Sequence, residues 1–173
     1  MSEPAGTIRA EAPGDAEAIA LVVTEAFGRS DEAELVERLR HEHADAYGPS
    51  LVAEVDGLIV GHVLLSDATL DGDPQRPVHA LAPVAVLRTY QHLGIGSTLV
   101  VRACDLARVP VVVLGDARWY RRLGFEPAIP RGILPPWEGV GEAWSVRFPP
   151  GEWNAWSGTV RYPEAFDDVA SAG

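Results

Sequence analysis

Gly94-Ile95-Gly96 joins a short apolar strand, Val84 to Val86, to an apolar helix. A glycine turn at that junction lets backbone come close to a ligand, and the first amides of the helix can hold an anion. Two common anion motifs fail here. A Walker A loop requires lysine followed by serine or threonine after its last glycine, whereas Gly96 is followed directly by Ser97. A dinucleotide fingerprint requires a third glycine where Leu99 stands. What remains is an anionic group held by main-chain N–H donors alone. Pro83, just upstream, cannot donate to a β-ladder, so it marks either an edge strand or a bulge. A bulge would leave amides near Val84 and Val86 without a partner strand and open to a ligand. His79 is a candidate general base on the same strand. Alternation by twos puts Ala80 and Ala82, and not His79, on the Val84 face, unless a bulge resets the parity. The single cysteine, Cys104, lies on the margin of the following helix and reads as a small packing residue.

Periodicity supplies the elements that must carry these groups. Thr7 to Glu11 reads as a strand. Asp15 can cap a helix with Ile19, Val22, Val23, Ala26 and Phe27 on one face, ended by Gly28. Asp31 to Glu34 has capping-box spacing ahead of Leu35, Val36 and Leu39. Leu51 to Val55 and Leu58 to Leu65 form a hairpin across Asp56-Gly57. A loop from Thr69 to Pro77 leads to a strand from Val78 to Val86. In the helix after the glycine turn, Ile95, Leu99, Ala103 and Leu106 line one side. Val111 to Leu114 reads as a strand buried on both faces. Asp116 caps a short helix, Ala117 to Leu123. Beyond a proline-marked loop, Ala143 to Phe148 and Thr159 to Tyr162 read as strands. His41, His43 and His62 are expected at the surface or in the hairpin. Trp137, Trp144, Trp153 and Trp156 are expected in core and lid packing, with the wall of a pocket as the second reading.

The 173 residues carry a formal charge of −11, and all fourteen basic residues are arginine. That balance opposes nucleic-acid binding and suits cationic partners. One cysteine excludes an internal disulfide and a cysteine-cluster metal site, and no metal is expected. With no signal-like segment and no membrane-length apolar run, the expected location is cytoplasmic. The chain is expected to form a single domain over residues 1–173, with a core over 7–150 and a C-terminal strand and tail over 151–173.

Gln91-His92-Leu93-Gly94-Ile95-Gly96 after Val84-Ala85-Val86 resembles the Gln/Arg-x-x-Gly-x-Gly/Ala motif of the GNAT superfamily of N-acetyltransferases. Trp119 to Phe125 is similar to that family's later signature, with Tyr120 ahead of Gly124-Phe125. Together with Leu81 to Val86 and Leu114-Gly115-Asp116, these segments resemble a bacterial, YhbS-like branch. His92 and Leu93 depart from the glycine and arginine that family members often carry there.

The resemblance implies an α/β fold with a mixed, mostly antiparallel sheet, a bulged central strand and flanking helices. It implies that acetyl-coenzyme A is the donor. The pyrophosphate would rest on the amides of Gln91, His92, Leu93, Gly94, Ile95, Gly96 and Ser97, and the pantetheine arm on the backbone of Val84, Ala85 and Val86. Tyr120 would protonate the departing thiolate. The implied activity is acetyl transfer to a primary amine by direct attack in a ternary complex, with a coenzyme A-binding module lacking transferase activity as the alternative. The acceptor would be a small-molecule or peptide amine, suited to be cationic by the acidic surface, and would enter between the 27–31 connection and the segment 129–139. No membrane partner is expected, and a homodimer stays open.

Overall fold

The computed structural model describes residues 6–42 and 47–164, with the side chains of 40–42 and 47 left aside. His43 therefore lies outside the described residues, as does the side chain of His41.

Nine strands and four helices follow one another as β1 (Thr7–Ala10), α1 (Ala16–Phe27), α2 (Asp31–Glu42), β2 (Tyr47–Val55), β3 (Leu58–Leu70), β4 (Asp73–Val86), α3 (Ile95–Leu106), β5 (Val111–Leu114), α4 (Ala117–Arg122), β6 (Glu126–Pro127), β7 (Ile133–Leu134), β8 (Trp144–Arg147) and β9 (Gly158–Arg161). The main sheet runs β1-β2-β3-β4-β5-β8-β6, and β9 pairs with the end of β3 and with β7. Only β4–β5 and β7–β9 are parallel pairs. The expected mixed, mostly antiparallel α/β sheet with flanking helices is the one observed.

The expected loop from Thr69 to Pro77 is a correction. β3 continues to Leu70 and β4 begins at Asp73, with Asp71-Gly72 as the whole turn. Asp71 and Gly72 have φ of 54° and 77°, as Asp56 and Gly57 have 50° and 79° at the other hairpin. Positive φ at both central residues gives the turn whose twist matches the strands it joins, and Asp-Gly meets that demand. Asp71 further accepts from the Thr159 amide at 2.8 Å and from Arg76 at 3.0 Å, which ties the hairpin tip to β9.

Apolar alternation sends side chains to both faces of the sheet. On one face Leu51, Val63, Leu65 and Leu81 meet Leu99, Val100 and Ala103 of α3. On the other, Val52, Leu64 and Ala85 meet Ile19, Val22 and Val23 of α1 and Val36 and Leu39 of α2. A third cluster gathers Val78, Val112, Ile133 and Val160 around Trp144, whose indole N–H donates to the Ile133 carbonyl at 3.0 Å. Leu106 was expected on the buried face of α3 but is exposed. Cys104 and Ala107 are buried in its place, because the inner face drifts around a 3.6-residue helix.

Two further expectations are revised. Asp15 places no side-chain bond on α1. It accepts instead from the Ala12 amide at 2.7 Å and pairs with Arg9 at 2.6 Å. His62 lies in the hairpin, one of its two expected places, but it is fully buried there in β3, with Nε2 3.1 Å from Ser50 Oγ.

Leu99 is fully buried between α3 and the sheet. Leu99→Ala should cost about 2–5 kcal/mol of unfolding free energy through lost transfer and a residual cavity. Urea denaturation followed by far-ultraviolet circular dichroism checks this.

Candidate active site

The site begins where the ladder between β4 and β5 stops. Those strands pair only at His79–Val111 and Ala80–Val112, after which they diverge. On its other edge β4 stays with β3, but Val84 opposes Val63 while Leu81 opposes Leu65. Ala82 and Pro83 thus face the single residue Leu64, which is a bulge at the proline. The Leu87 amide donates to the Val60 carbonyl at 2.9 Å. Counting back along an antiparallel pair, Val86 and Val84 turn their backbone groups away from β3, while Ala85 turns toward it. No strand pairs with Val84 or Val86 on that open side.

The bulge also resets side-chain parity. Leu81 and Val84 pack into the same core, so His79 shares their side of the sheet, contrary to simple alternation. It still falls short of the opening. Its Nδ1 lies 3.1 Å from Asp67 Oδ1 on β3, and it lines neither cavity of the site.

From Val86 the chain makes a turn whose register is held by Gln91, with Nε2 donating to the Val86 carbonyl at 3.0 Å. His92 has φ of 63°, a left-handed conformation that disfavours a side chain. Gly94, at φ 82°, is the N-cap of α3, and no side chain caps the helix. The amides of Ile95, Gly96 and Ser97 are therefore free of side-chain acceptors at the positive end of a 12-residue helix. Gly94, Gly96 and Ser97 border a cavity of about 330 Å³ shared by Val84, Val86, Gln91, His92 and Trp119. Three expected contact residues keep their side chains elsewhere. Ala85 is buried under α1, Ile95 packs toward the α3 core, and Leu93 points outward.

A larger cavity of about 530 Å³ meets the first at Val84. Its floor is the bulge, Leu81 to Val84, and Tyr120 and Leu114 form one side. Asp116 caps α4 as expected, accepting from the amides of Arg118 and Trp119 at 2.8 and 3.2 Å. That fixes the helix that presents Tyr120. The ring packs edge-on against Trp119 and Phe125, and it lies so close to Gly115 that a Cβ there would stand 2.6 Å from a ring carbon. Burial, and then the neighbouring Cys104, raises the Tyr120 phenol well above its ordinary range and keeps it protonated. Cys104, beneath it, is pushed up to about 11 by burial.

The far side of this cavity carries Phe27, Arg29, Glu32, Trp137 and Tyr162. Phe27, Arg29 and Trp137 belong to the two segments expected to meet an acceptor, and Trp137 takes the pocket-wall reading. Trp144, by contrast, is wholly core. Glu32 and Tyr162 were not anticipated, nor was the pairing of Arg29 with Glu32. The i,i+3 spacing of Arg29 and Glu32, astride the start of α2, was the available signal.

A family model described as acetyltransferase (GNAT) domain matches residues 46–127, which run from β2 to β6. The uncharacterized N-acetyltransferase YhbS of Escherichia coli K12 is 34% identical over 166 residues, covering 92% of this chain and 98% of that protein. The chain belongs to the GNAT family of N-acetyltransferases. A second Escherichia coli K12 relative, the uncharacterized N-acetyltransferase YjhQ, is 42% identical over 118 residues, 65% of each chain, so just under two thirds of its length is matched. Among solved GNAT structures, Escherichia coli YhbS in complex with CoA superposes with a TM-score of 0.83, at 31% identity and 96% coverage of both chains. A Brucella melitensis GNAT acetyltransferase in complex with acetyl-CoA gives 0.74, at 31% identity and coverage of 95% of this chain and 100% of that one. Among the described residues no helix is long and apolar enough to cross a membrane.

Cys104 connects this site to alkaline stability. An unfolded thiol releases its proton near 9.0, whereas the folded one holds it to about 11. The stability this provides is complete below the lower value and is lost as pH rises toward the upper one, because the unfolded state then binds fewer protons. Thermal melts from about pH 8 to about pH 11 should show that fall, with a flatter onset in Cys104→Ala.

Proposed function

We propose that this GNAT protein transfers the acetyl group of acetyl-coenzyme A to a primary amine by direct attack in a ternary complex. The observation that carries the reading is a pair of cavities that share Val84, one bordered by Gly96 and Ser97 at the uncapped start of α3 and by Val86, the other by Tyr120. Its helix end suits a pyrophosphate, which amides and the helix dipole hold without lysine. Its middle suits an extended amide-bearing arm that pairs with β4 as a missing strand would. At its far end a thioester would lie beside Val84 and Tyr120. The crystallised relatives named with CoA and acetyl-CoA support the same donor.

In this scheme the acceptor enters the larger cavity as an ammonium and loses one proton to solvent. Its lone pair attacks the thioester carbonyl carbon, and the Val84 N–H stabilises the charge that develops on oxygen. The carbon–sulfur bond then breaks. The sulfur takes a proton from the Tyr120 phenol, and the nitrogen's surplus proton returns the balance through solvent. The products are the acetamide, coenzyme A thiol and one net proton. Holding amine and thioester together supplies most of the acceleration.

Two sets of variants test the scheme. A Cβ on Gly96 would meet Val86 and Trp119 at 3.5 and 3.8 Å, which is ordinary contact, so Gly96→Ala should keep most of the affinity for acetyl-coenzyme A. Gly96→Asp sets a carboxylate against the pyrophosphate and should weaken binding by roughly a hundredfold or more in calorimetric titration. Unchanged affinity in a folded Gly96→Asp protein would remove the donor site.

Tyr120→Phe should lower kcat by roughly tenfold or more while acetyl-coenzyme A affinity holds, since only the transition state loses the interaction. His79→Ala should cost far less. The reverse pattern in steady-state kinetics would exchange the two assignments. Donor binding without thiol release for any of a broad panel of amines would leave a coenzyme A-binding module.

A further inference from the structure

Within mostly apolar and aromatic walls, the larger cavity contains one ion pair, Arg29–Glu32. Glu32 is only 8% exposed, on the first turn of α2, while its neighbours Asp31 and Glu34 on that turn stay nearer solvent and serve the helix dipole without it. Burying a carboxylate in such surroundings is costly, and an ion pair there rarely adds stability over apolar packing. The position calls for a ligand.

Arg29 uses its fork unevenly. Nε and Nη2 both reach Glu32 Oε1, at 3.1 and 2.7 Å, while Oε2 receives only Nε at 3.3 Å. The remaining nitrogen, Nη1, lies 3.8 Å from Asp31. The guanidinium is thus hydrogen-bonded to Glu32 with Asp31 close by, and Glu32 Oε2, on a residue that lines the cavity, keeps spare acceptor capacity. One cation against two carboxylates leaves this corner with a charge of −1.

We propose that Glu32 Oε2 anchors the acceptor's ammonium, and that the acceptor is a small, singly cationic amine with an apolar or aromatic body. This rests on the N-acetyltransferase reading given above. When the amine gives up one proton to solvent, a remaining N–H still points to Glu32 and the lone pair is aimed away from it. Phe27 and Trp137 offer ring faces to the body and to the cation. A polyamine or an aminoglycoside would need several carboxylates, and among the described residues Glu32 is the only one on the cavity lining. An amino acid's carboxylate would have to compete with Glu32 and Asp31 for Arg29, in a corner that two carboxylates already make negative.

The test uses the full chain with acetyl-coenzyme A and follows thiol release with 2-phenylethylamine, n-hexylamine, spermidine and phenylalanine. One or both of the first two should give the highest kcat/KM. Glu32→Gln should raise their KM by roughly tenfold or more, with a smaller change in kcat, because a bond to the charged group is lost. Glu32→Asp should recover part of that loss. Independently of any variant, wild-type protein loaded with coenzyme A should bind 2-phenylethylamine roughly tenfold more tightly than 2-phenylethanol, read by tryptophan fluorescence. Spermidine or phenylalanine as the best acceptor, equal binding of amine and alcohol, or an unchanged KM in folded Glu32→Gln would each overturn the proposal while leaving the acetyltransferase reading in place. Failure to bind acetyl-coenzyme A would overturn both.

Discussion

Two strands that pair for only two residues and then part set the terms for everything else in this protein. Had β5 continued beside β4, the backbone of Val84 and Val86 would be consumed by a ladder and the sheet would be closed. Pro83 and the bulge across from Leu64 break that regularity at the right place. Main-chain groups left without a strand partner there favour a ligand with matching donors and acceptors, and the Val86 carbonyl already accepts from Gln91. The rest of the fold serves to hold the two strand ends apart. α3 fills one face and ends its dipole at the opening, and α1 and α2 cover the other face.

The donor half of the site was largely legible in the sequence because it is local. Glycines, a proline and a strand-to-helix junction lie within fifteen residues of each other, and their requirements are conformational. Tyr120 was legible for the same reason, since Asp116 and Gly124 bracket its helix. The larger cavity was legible only in part. Arg29 and Trp137 fall in the two segments expected there, whereas Glu32 and Tyr162, from α2 and the residue after β9, are brought to it only by tertiary packing. His62 shows the same limit, because burial of a histidine depends on partners such as Ser50 that lie on another strand. The parity of His79 depended on one inserted residue, which shifts every later side chain to the opposite face. The Asp71-Gly72 hairpin was a different kind of miss. Its signal equals that of Asp56-Gly57, but Pro74 and Pro77 so close behind resemble loop composition.

The two halves also differ in how they are held. Tyr120 sits in a dry, aromatic setting in which both its phenol and the Cys104 thiol resist ionisation. A phenol held protonated in this way can hand a proton on but cannot, in that state, take one from an ammonium. The acceptor side is instead built from a half-exposed guanidinium and a chain segment near the C-terminal strand, elements that can vary without disturbing the bulge. Donor chemistry and acceptor choice thus occupy separable parts of the architecture.

The cation at the mouth of the larger cavity is an arginine, in a sequence that contains no lysine. A lysine there would hold Glu32 in a similar way, but its side chain would be a primary amine beside a reactive thioester. A guanidinium remains protonated and offers no comparable nucleophile. Arg29 therefore gives the larger cavity a permanent positive charge without adding an amine to its lining.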